Sequence, residues 1–255
     1  MQKRIVDIRT RDGVCPTRTF HPDGEGPWPG IVVYMDGPGI RPSLEAIAER
    51  IASRGYFVIL PDLFYRVGGA DPEGQKRIFV DPEARRAWIA RYLPIANLAN
   101  VRSDTDAFLD FLASEPRVLQ PKVGATGYCM GGGHALTAAG AHPDRVVAAA
   151  SFHGGGLATD APDSPHRLAS SMRARLYIAA ASNDPLFPED MKQRLDASLR
   201  EANCDYVLET IPGALHGWVP SDTPVHHPEM AERHFESLAR LFDEALRPGQ
   251  PSPPP

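Results

Sequence analysis

The sequence predicts a three-layer α/β fold: a mostly parallel central sheet of about eight strands, helices on both faces, and an N-terminal antiparallel hairpin at one edge. Three observations predict it. Short, mostly apolar runs such as GIVVYMD (30–36) and YFVILPD (56–62) resemble strands buried on both faces. Amphipathic segments alternate with them, and that alternation implies parallel strands joined by crossover helices. The composition is that of an ordinary globular enzyme, with 42% hydrophobic and 23% charged residues in a chain of 255. A chain this long buries roughly three quarters of its unfolded surface, so it needs no disulfide or metal to hold a core.

Each element has its own signal. Residues 4–10 (RIVDIRT) and 14–20 (VCPTRTF) flank Arg11-Asp12-Gly13, which reads as a hairpin turn; Pro16 would suit an edge strand. Strand 30–36 leads to a helix over 43–54, with Ser43 as N-cap and Gly55 as the stop. Strand 56–62 follows. The segment 63–100 is the least regular, with Gly68-Gly69, three prolines and a helix near 82–92; such a stretch suggests a functional loop or small lid. Beyond it come a helix near 103–114, strand 122–128, helix 131–141, and strands 146–152 and 174–182. Helix 188–202, strand 206–212 and a closing helix 228–246 complete the pattern. Residues 1–247 read as one domain, and 248–255 as a proline-rich, disordered tail.

Several function classes fall away. Net charge is −5 and the basic residues are scattered, so nucleic acid is not expected as a partner. No run reaches the roughly 18 apolar residues of a membrane span, and the charged start MQKRIVDIRTRDG lacks a signal peptide's apolar core. Cys15, Cys129 and Cys204 are few, odd in number and without C-x-x-C spacing. The expectation is a reduced, cytoplasmic protein without a disulfide framework or zinc site.

The strongest chemical signal is Gly127-Tyr128-Cys129-Met130-Gly131-Gly132, between an apolar strand and a glycine-rich helix start. This is the context of a G-x-S-x-G nucleophile elbow with cysteine in place of serine, where side chains flanking the sharp turn would clash. A helix N-terminus also favours a thiolate. The bland reading is an inert cysteine in a tight turn. In an α/β-hydrolase the partners follow in the order nucleophile, acid, histidine. Strand LYIAAAS ends in Ser182-Asn183-Asp184-Pro185, and YVLETIP ends in Gly213-Ala214-Leu215-His216-Gly217-Trp218. His216 would take the thiol proton and return it to the leaving group, while Asp184 would hold the imidazole tautomer. Alone, Asp184 could equally cap the helix starting near Pro188, and His216 could be a loop histidine.

Taken together, IVVYMDGPG, GYFVILPDLFYR, KVGATGYCMGG, SNDPLFP and PGALHGW resemble the dienelactone hydrolase (carboxymethylenebutenolidase) family of α/β-hydrolases, over nearly the whole chain. The resemblance implies a cofactor-free, monomeric enzyme that acts on small cyclic esters through an acyl-cysteine. It assigns the triad to Cys129, His216 and Asp184, and the oxyanion-hole N–H groups to Gly37 and Met130. There are two departures. The family's glutamate beside the first donor, which in relatives exchanges partners with the thiol, is Asp36 here; it either plays that part or binds backbone in the Gly37-Pro38-Gly39 turn. Relatives also carry a substrate-anchoring arginine four residues after the catalytic histidine, where this chain has Pro220.

Tyr65 and Arg66 are candidates for substrate contact, Arg66 as an anion anchor or simply a solvated arginine; Lys76, Arg77, Arg85 and Arg86 compete for a second such role. Tyr128, His153 and Trp218 are candidate pocket-lining residues, Trp218 offering apolar surface. His134 is expected to pack, and His226, His227 and His234 to mark the start of the last helix rather than a metal site. The reading is thus a hydrolase of a small ester or lactone. An acyltransferase or thioesterase on the same site, and a non-catalytic binding protein, remain open alternatives.

Overall fold

The computed structural model describes residues 1–247; the proline-rich tail assigned to 248–255 lies outside the described residues. One sheet of eight strands organises the chain: β1 (Gln2–Thr10), β2 (Gly13–His21), β3 (Trp28–Tyr34), β4 (Phe57–Pro61), β5 (Val118–Tyr128), β6 (Val146–Phe152), β7 (Arg175–Ala181) and β8 (Tyr206–Ile211). Their spatial order is β1-β2-β4-β3-β5-β6-β7-β8. The β1–β2 hairpin joins antiparallel through β2–β4, and the rest is parallel. This is the α/β-hydrolase architecture the sequence predicts, with eight strands close to their expected positions, β5 starting earlier than expected, at Val118 rather than 122.

The helices are α1 (Pro42–Ser53), α2 (Pro72–Arg77), α3 (Pro82–Tyr92), α4 (Leu98–Ser114), α5 (Met130–Ala141), α6 (Glu189–Glu201) and α7 (Pro228–Leu246). Alternation along β6 shows how they divide. Ser151 points at Gly132 of α5, whereas Phe152 packs edge-on against His234 of α7, 4.3 Å between centroids. α1 shares the α7 face through the Arg50–Glu232 ion pair and through Arg50 stacked over the Phe235 ring, 3.9 Å from its centroid. Strands with layers on both sides are buried, so β3, β4 and the central parts of β6 and β7 are mostly apolar. No described helix is long and apolar enough to cross a membrane.

Four local expectations change. Pro16 lies in β2, which has β1 on one side and β4 on the other, so it is not on an edge strand. It is tolerated because the β2–β4 ladder begins only at Thr17, where no N–H from Pro16 is called for. Ser43 does not cap α1: Arg41 holds the N-cap position, Pro42 opens the helix, and the buried Ser43 hydroxyl has no hydrogen-bond partner. Gly55 does stop α1, at φ +86°. The segment 63–100 is more regular than expected, because two Asp-Pro pairs start helices. Asp71 and Asp81 each accept two backbone N–H groups at the head of α2 and α3. Finally, α4 begins at Leu98, ahead of the expected 103, with Asn97 accepting from Asn100 N–H at 2.9 Å.

Tyr65 and Arg66 serve this scaffold. The Asp104 side chain on α4 is fully buried and accepts from Tyr65 Oη at 2.9 Å and from both terminal nitrogens of Arg66 at 2.8 Å. Arg66 also reaches Asp12 in the hairpin turn at 2.6 Å, and Tyr65 Oη lies 2.7 Å from Thr10 Oγ1. The cluster ties hairpin, loop and helix together, and leaves Arg66 already paired on two sides. Removing one member of a buried ion pair strands the other, at about 3–5 kcal/mol, whereas removing both with apolar replacements is often nearly neutral. Arg66→Leu should therefore lose about that much stability in urea unfolding, and Arg66→Leu/Asp104→Leu should recover most of it. Equal loss in both would show that packing, not charge, holds the cluster.

Candidate active site

The site grows from a turn with no room in it. Between β5 and α5 the backbone reverses at Cys129, a non-glycine residue at φ 55°, ψ −119°. A Cβ on Gly127 would lie 1.8 Å from the Gly131 carbonyl oxygen, and one on Gly131 would lie 2.3 Å from that of Tyr34 at the end of β3. Only glycine fits either position, which is the steric content of the elbow motif. The strained turn itself costs about 1–3 kcal/mol. It is held by the Cys129 N–H, which donates to Phe152 O and to His153 Nδ1, both at 3.1 Å.

Loops after β7 and β8 bring two further side chains to the half-buried thiol. His216 Nε2 stands 3.0 Å from Cys129 Sγ, and His216 Nδ1 stands 2.7 Å from Asp184 Oδ2. Asp184 divides its carboxylate: Oδ1 accepts the Leu186 N–H at 2.9 Å and shapes its own turn, leaving Oδ2 for the imidazole. It does not cap α6, whose N-cap position is Pro188. The two loops are stitched to each other, since Ser182 N–H donates to Ala214 O, Ser182 Oγ to Ile211 O, and Gly213 N–H to Ser182 Oγ. Burial alone would lower the His216 pKa. The hydrogen bonds to Asp184 and Cys129, with their charges, more than offset that and push it up to about 10.

The oxyanion candidates sit beside this chain of contacts. Gly131 packs onto the Tyr34 and Met35 carbonyls, which brings the start of α5 against the end of β3 and the loop that follows it. Among the described residues, neither the Gly37 nor the Met130 N–H finds a backbone acceptor. Asp36 is 3% exposed, and its carboxylate is taken by an arginine. Its two oxygens take Arg41 Nη1 at 2.6 Å and Nη2 at 3.0 Å, and Arg41 in turn holds Asp222 at 2.7 and 3.0 Å. Burial opposes the Arg41 charge, but Asp36 and Asp222 together raise its pKa and keep the guanidinium protonated.

The pocket-lining candidates stand behind the site rather than in it. Tyr128 is fully buried on the α7 face of β5, its hydroxyl 2.8 Å from His234 Nε2. His153 and Trp218 are each 1% exposed; the His153 ring stacks edge-on between Trp218 and His216, at 5.0 and 5.4 Å. Burial holds His153 neutral, with its pKa well below the usual value, so the accepting Nδ1 leaves the proton on Nε2. Trp218 therefore supplies no exposed apolar surface. That surface comes from Leu186 and Leu215, 50% and 53% exposed beside Asp184 and His216. Of the remaining histidines, His134 packs near Tyr34 and His227 caps α7, as expected. Sequence reasoning missed Arg41, Asp222, Leu186 and Leu215. Only the leucines carried a signal, their adjacency to the two polar residues.

Comparison with known proteins fits this geometry. The profile described as the dienelactone hydrolase family matches residues 15–246. A provisionally named carboxymethylenebutenolidase of Synechocystis sp. is 25% identical over 252 residues, covering 95% of this chain and 99% of its own. The carboxymethylenebutenolidase of Rhodococcus opacus is 25% identical over 241 residues, 93% of this chain and 90% of its own. The crystal structure of a provisionally named dienelactone hydrolase from Klebsiella pneumoniae superposes with a TM-score of 0.83 over 95% of this chain and 98% of its own. Its identity of 20% makes that a likeness of fold.

The Asp184–His216 contact generates a direct test. Asp184→Asn keeps the shape but removes the carboxylate, so the His216 titration should fall from about 10 toward the ordinary imidazole value of about 6.5. NMR titration of the His216 ring protons reads this, and an unmoved titration would detach Asp184 from the imidazole.

Proposed function

This chain belongs to the dienelactone hydrolase family of hydrolases, and we propose that it cleaves small ester or lactone substrates through an acyl-cysteine, using Cys129, His216 and Asp184. The observation that carries the reading is the unbroken line of contacts from Asp184 through His216 to Cys129, at 2.7 and 3.0 Å, built on the ends of three parallel strands, β5, β7 and β8. The Cys129 proton passes to His216 Nε2, and the thiolate attacks the carbonyl carbon. The oxyanion that forms accepts from the Gly37 and Met130 N–H groups, donors typically worth about 3–4 kcal/mol each in the transition state. As the C–O bond breaks, His216 returns the proton to the leaving oxygen. Water then attacks the thioester with His216 as base, releasing the acid and restoring the thiol. A reduced Cys129 is required throughout, which suits the cytoplasm.

The same reading singles out one cysteine. Cys15 is fully buried, and burial pushes its pKa up to about 12. Cys129→Ala should lower turnover by about 10³-fold or more, while Cys15→Ala and Cys204→Ala retain it. The double variant Cys129→Ala/His216→Ala should be no worse than Cys129→Ala alone, because the pair acts as a unit. A thioester adduct on Cys129, trapped during turnover and identified by mass spectrometry, tests the intermediate directly. Full activity in Cys129→Ala sinks the mechanism.

The charge arrangement favours neutral substrates. Pro220 offers no cation, Arg41 is bound by Asp36 and Asp222, and Arg66 by Asp104 and Asp12. The rim beside the thiol carries Leu186 and Leu215. Losing a charge-assisted anchor of about 1.5–3 kcal/mol weakens affinity for a carboxylate-bearing substrate about 10- to 150-fold. Neutral esters and lactones should therefore match or exceed the anionic dienelactone in kcat/KM on one preparation. A clear preference for the anion would show that an arginine leaves its carboxylates to bind substrate.

A further inference from the structure

The loop from Gly37 to Ile40, between β3 and α1, presents four consecutive carbonyl oxygens, and side chains hold every one of them. Trp88 Nε1 donates to Gly37 O at 2.9 Å, Gln75 Nε2 to Pro38 O at 2.8 Å and to Ile40 O at 2.9 Å, and Arg41 Nη1 to Gly39 O at 3.0 Å. Just upstream, Asp36 O accepts the Gly39 N–H at 3.0 Å. Both peptide planes flanking the Gly37 Cα are thereby fixed, one at Asp36 O and the other at Gly37 O. The sequence itself offers little stiffness here: Gly37 and Gly39 are permissive, and Gly39 sits at φ +87°. Three of the four grips come from α2 and α3, the helices of the 63–100 segment. The grip is firm, since Trp88 is 6% exposed and its ring packs against Tyr92 and Phe64 at 4.2 and 6.3 Å between centroids.

Resting on the reading of Gly37 as an oxyanion donor, we propose that Trp88 and Gln75 are positioning residues that aim the Gly37 N–H, so that α2 and α3 set the transition-state donor. A donor's value depends on its being already in place where charge develops, and displacement by a fraction of an ångström forfeits much of it. Neither side chain needs to touch substrate.

Trp88→Phe keeps the aromatic packing and removes the N–H; Gln75→Met keeps the length and removes both grips. Each variant is measured in two ways: steady-state hydrolysis of an activated ester, and the rate of Cys129 alkylation by iodoacetamide. Alkylation needs the thiolate and His216 but builds no oxyanion. In each variant kcat should fall about 10-fold or more, with KM and the alkylation rate within about twofold of the parent. A parallel fall in turnover and alkylation would mean that the helices merely support the site as a whole, and unchanged turnover in both variants would mean that Gly37 needs no such support; either overturns the proposal. Gln75 is half-buried outside the aromatic cluster, so Gln75→Met decides the question if Trp88→Phe fails to fold. Activity surviving in Cys129→Ala would instead overturn the acyl-cysteine reading, which keeps the two failures apart.

Discussion

Where β5 gives way to α5, the chain turns so tightly that a methyl group on Gly127 would sit within bonding distance of the Gly131 carbonyl, and Gly131 in turn presses its Cα against the end of β3. That one steric constraint decides where everything else can be. It leaves Cys129 at a positive φ with its thiol projecting from a helix N-terminus, at the carboxyl edge of the sheet. There the loops after β3, β7 and β8 deliver Gly37, Asp184 and His216. Parallel strands end on the same side, so a fold that assembles the sheet also assembles these groups, and the elbow selects which of them meet.

The polar groups around the thiol divide cleanly by partner. Asp184 gives one oxygen to its own turn and the other to His216, and His153 accepts the Cys129 N–H while remaining neutral. Neither arrangement leaves a buried charge without a counterpart near the Cys129 sulfur. The proton affinity of the imidazole is raised, because it has a carboxylate on one side and the thiol on the other. In the proposed mechanism, a raised pKa on His216 suits a thiol that must surrender its proton before attack and a leaving group that must receive one afterward.

The sheet, and the residues proposed as nucleophile, base and acid, were legible because each depends on local pattern: apolar runs, and a polar residue just past a strand end. What escaped depends on tertiary pairing. Arg41 opens α1 next to Pro42 and reads as an ordinary surface arginine, yet it meets Asp222 from the far end of the chain, and no spacing rule joins such positions. Trp218, next to His216 and Gly217, reads as exposed loop; the loop folds inward and seals the indole against His153. Tyr128 adjoins the nucleophile, but strand alternation turns it to the opposite face. Gln75 and Trp88 lie on helices whose sequences are mostly polar, and their target is backbone, which carries no side-chain signature at all.

Arg41 joins the two loops that matter most, gripping Asp36 beside Gly37 and Asp222 in the segment that follows His216. Apolar residues of similar volume would hold the Arg41–Asp36 contact together about as well, since bringing those two charges out of water offsets most of their attraction. What charge adds is geometry, because a planar guanidinium bound through both edges fixes two carboxylates at set angles. Its consequence for substrates follows directly. The resemblance implied a carboxylate at Asp36 able to exchange with the thiol, and an anchoring arginine that Pro220 replaces; here Asp36 is bound by Arg41, an arginine from a different position. An incoming carboxylate would have to displace one already bound to the same guanidinium, trading like for like while still losing its own hydration. On the proposed function, a neutral acyl group would meet no such barrier, and the exposed Leu186 and Leu215 would give it an apolar surface to rest on. The polarity of the site is therefore set less by which charges it contains than by which of them are already engaged.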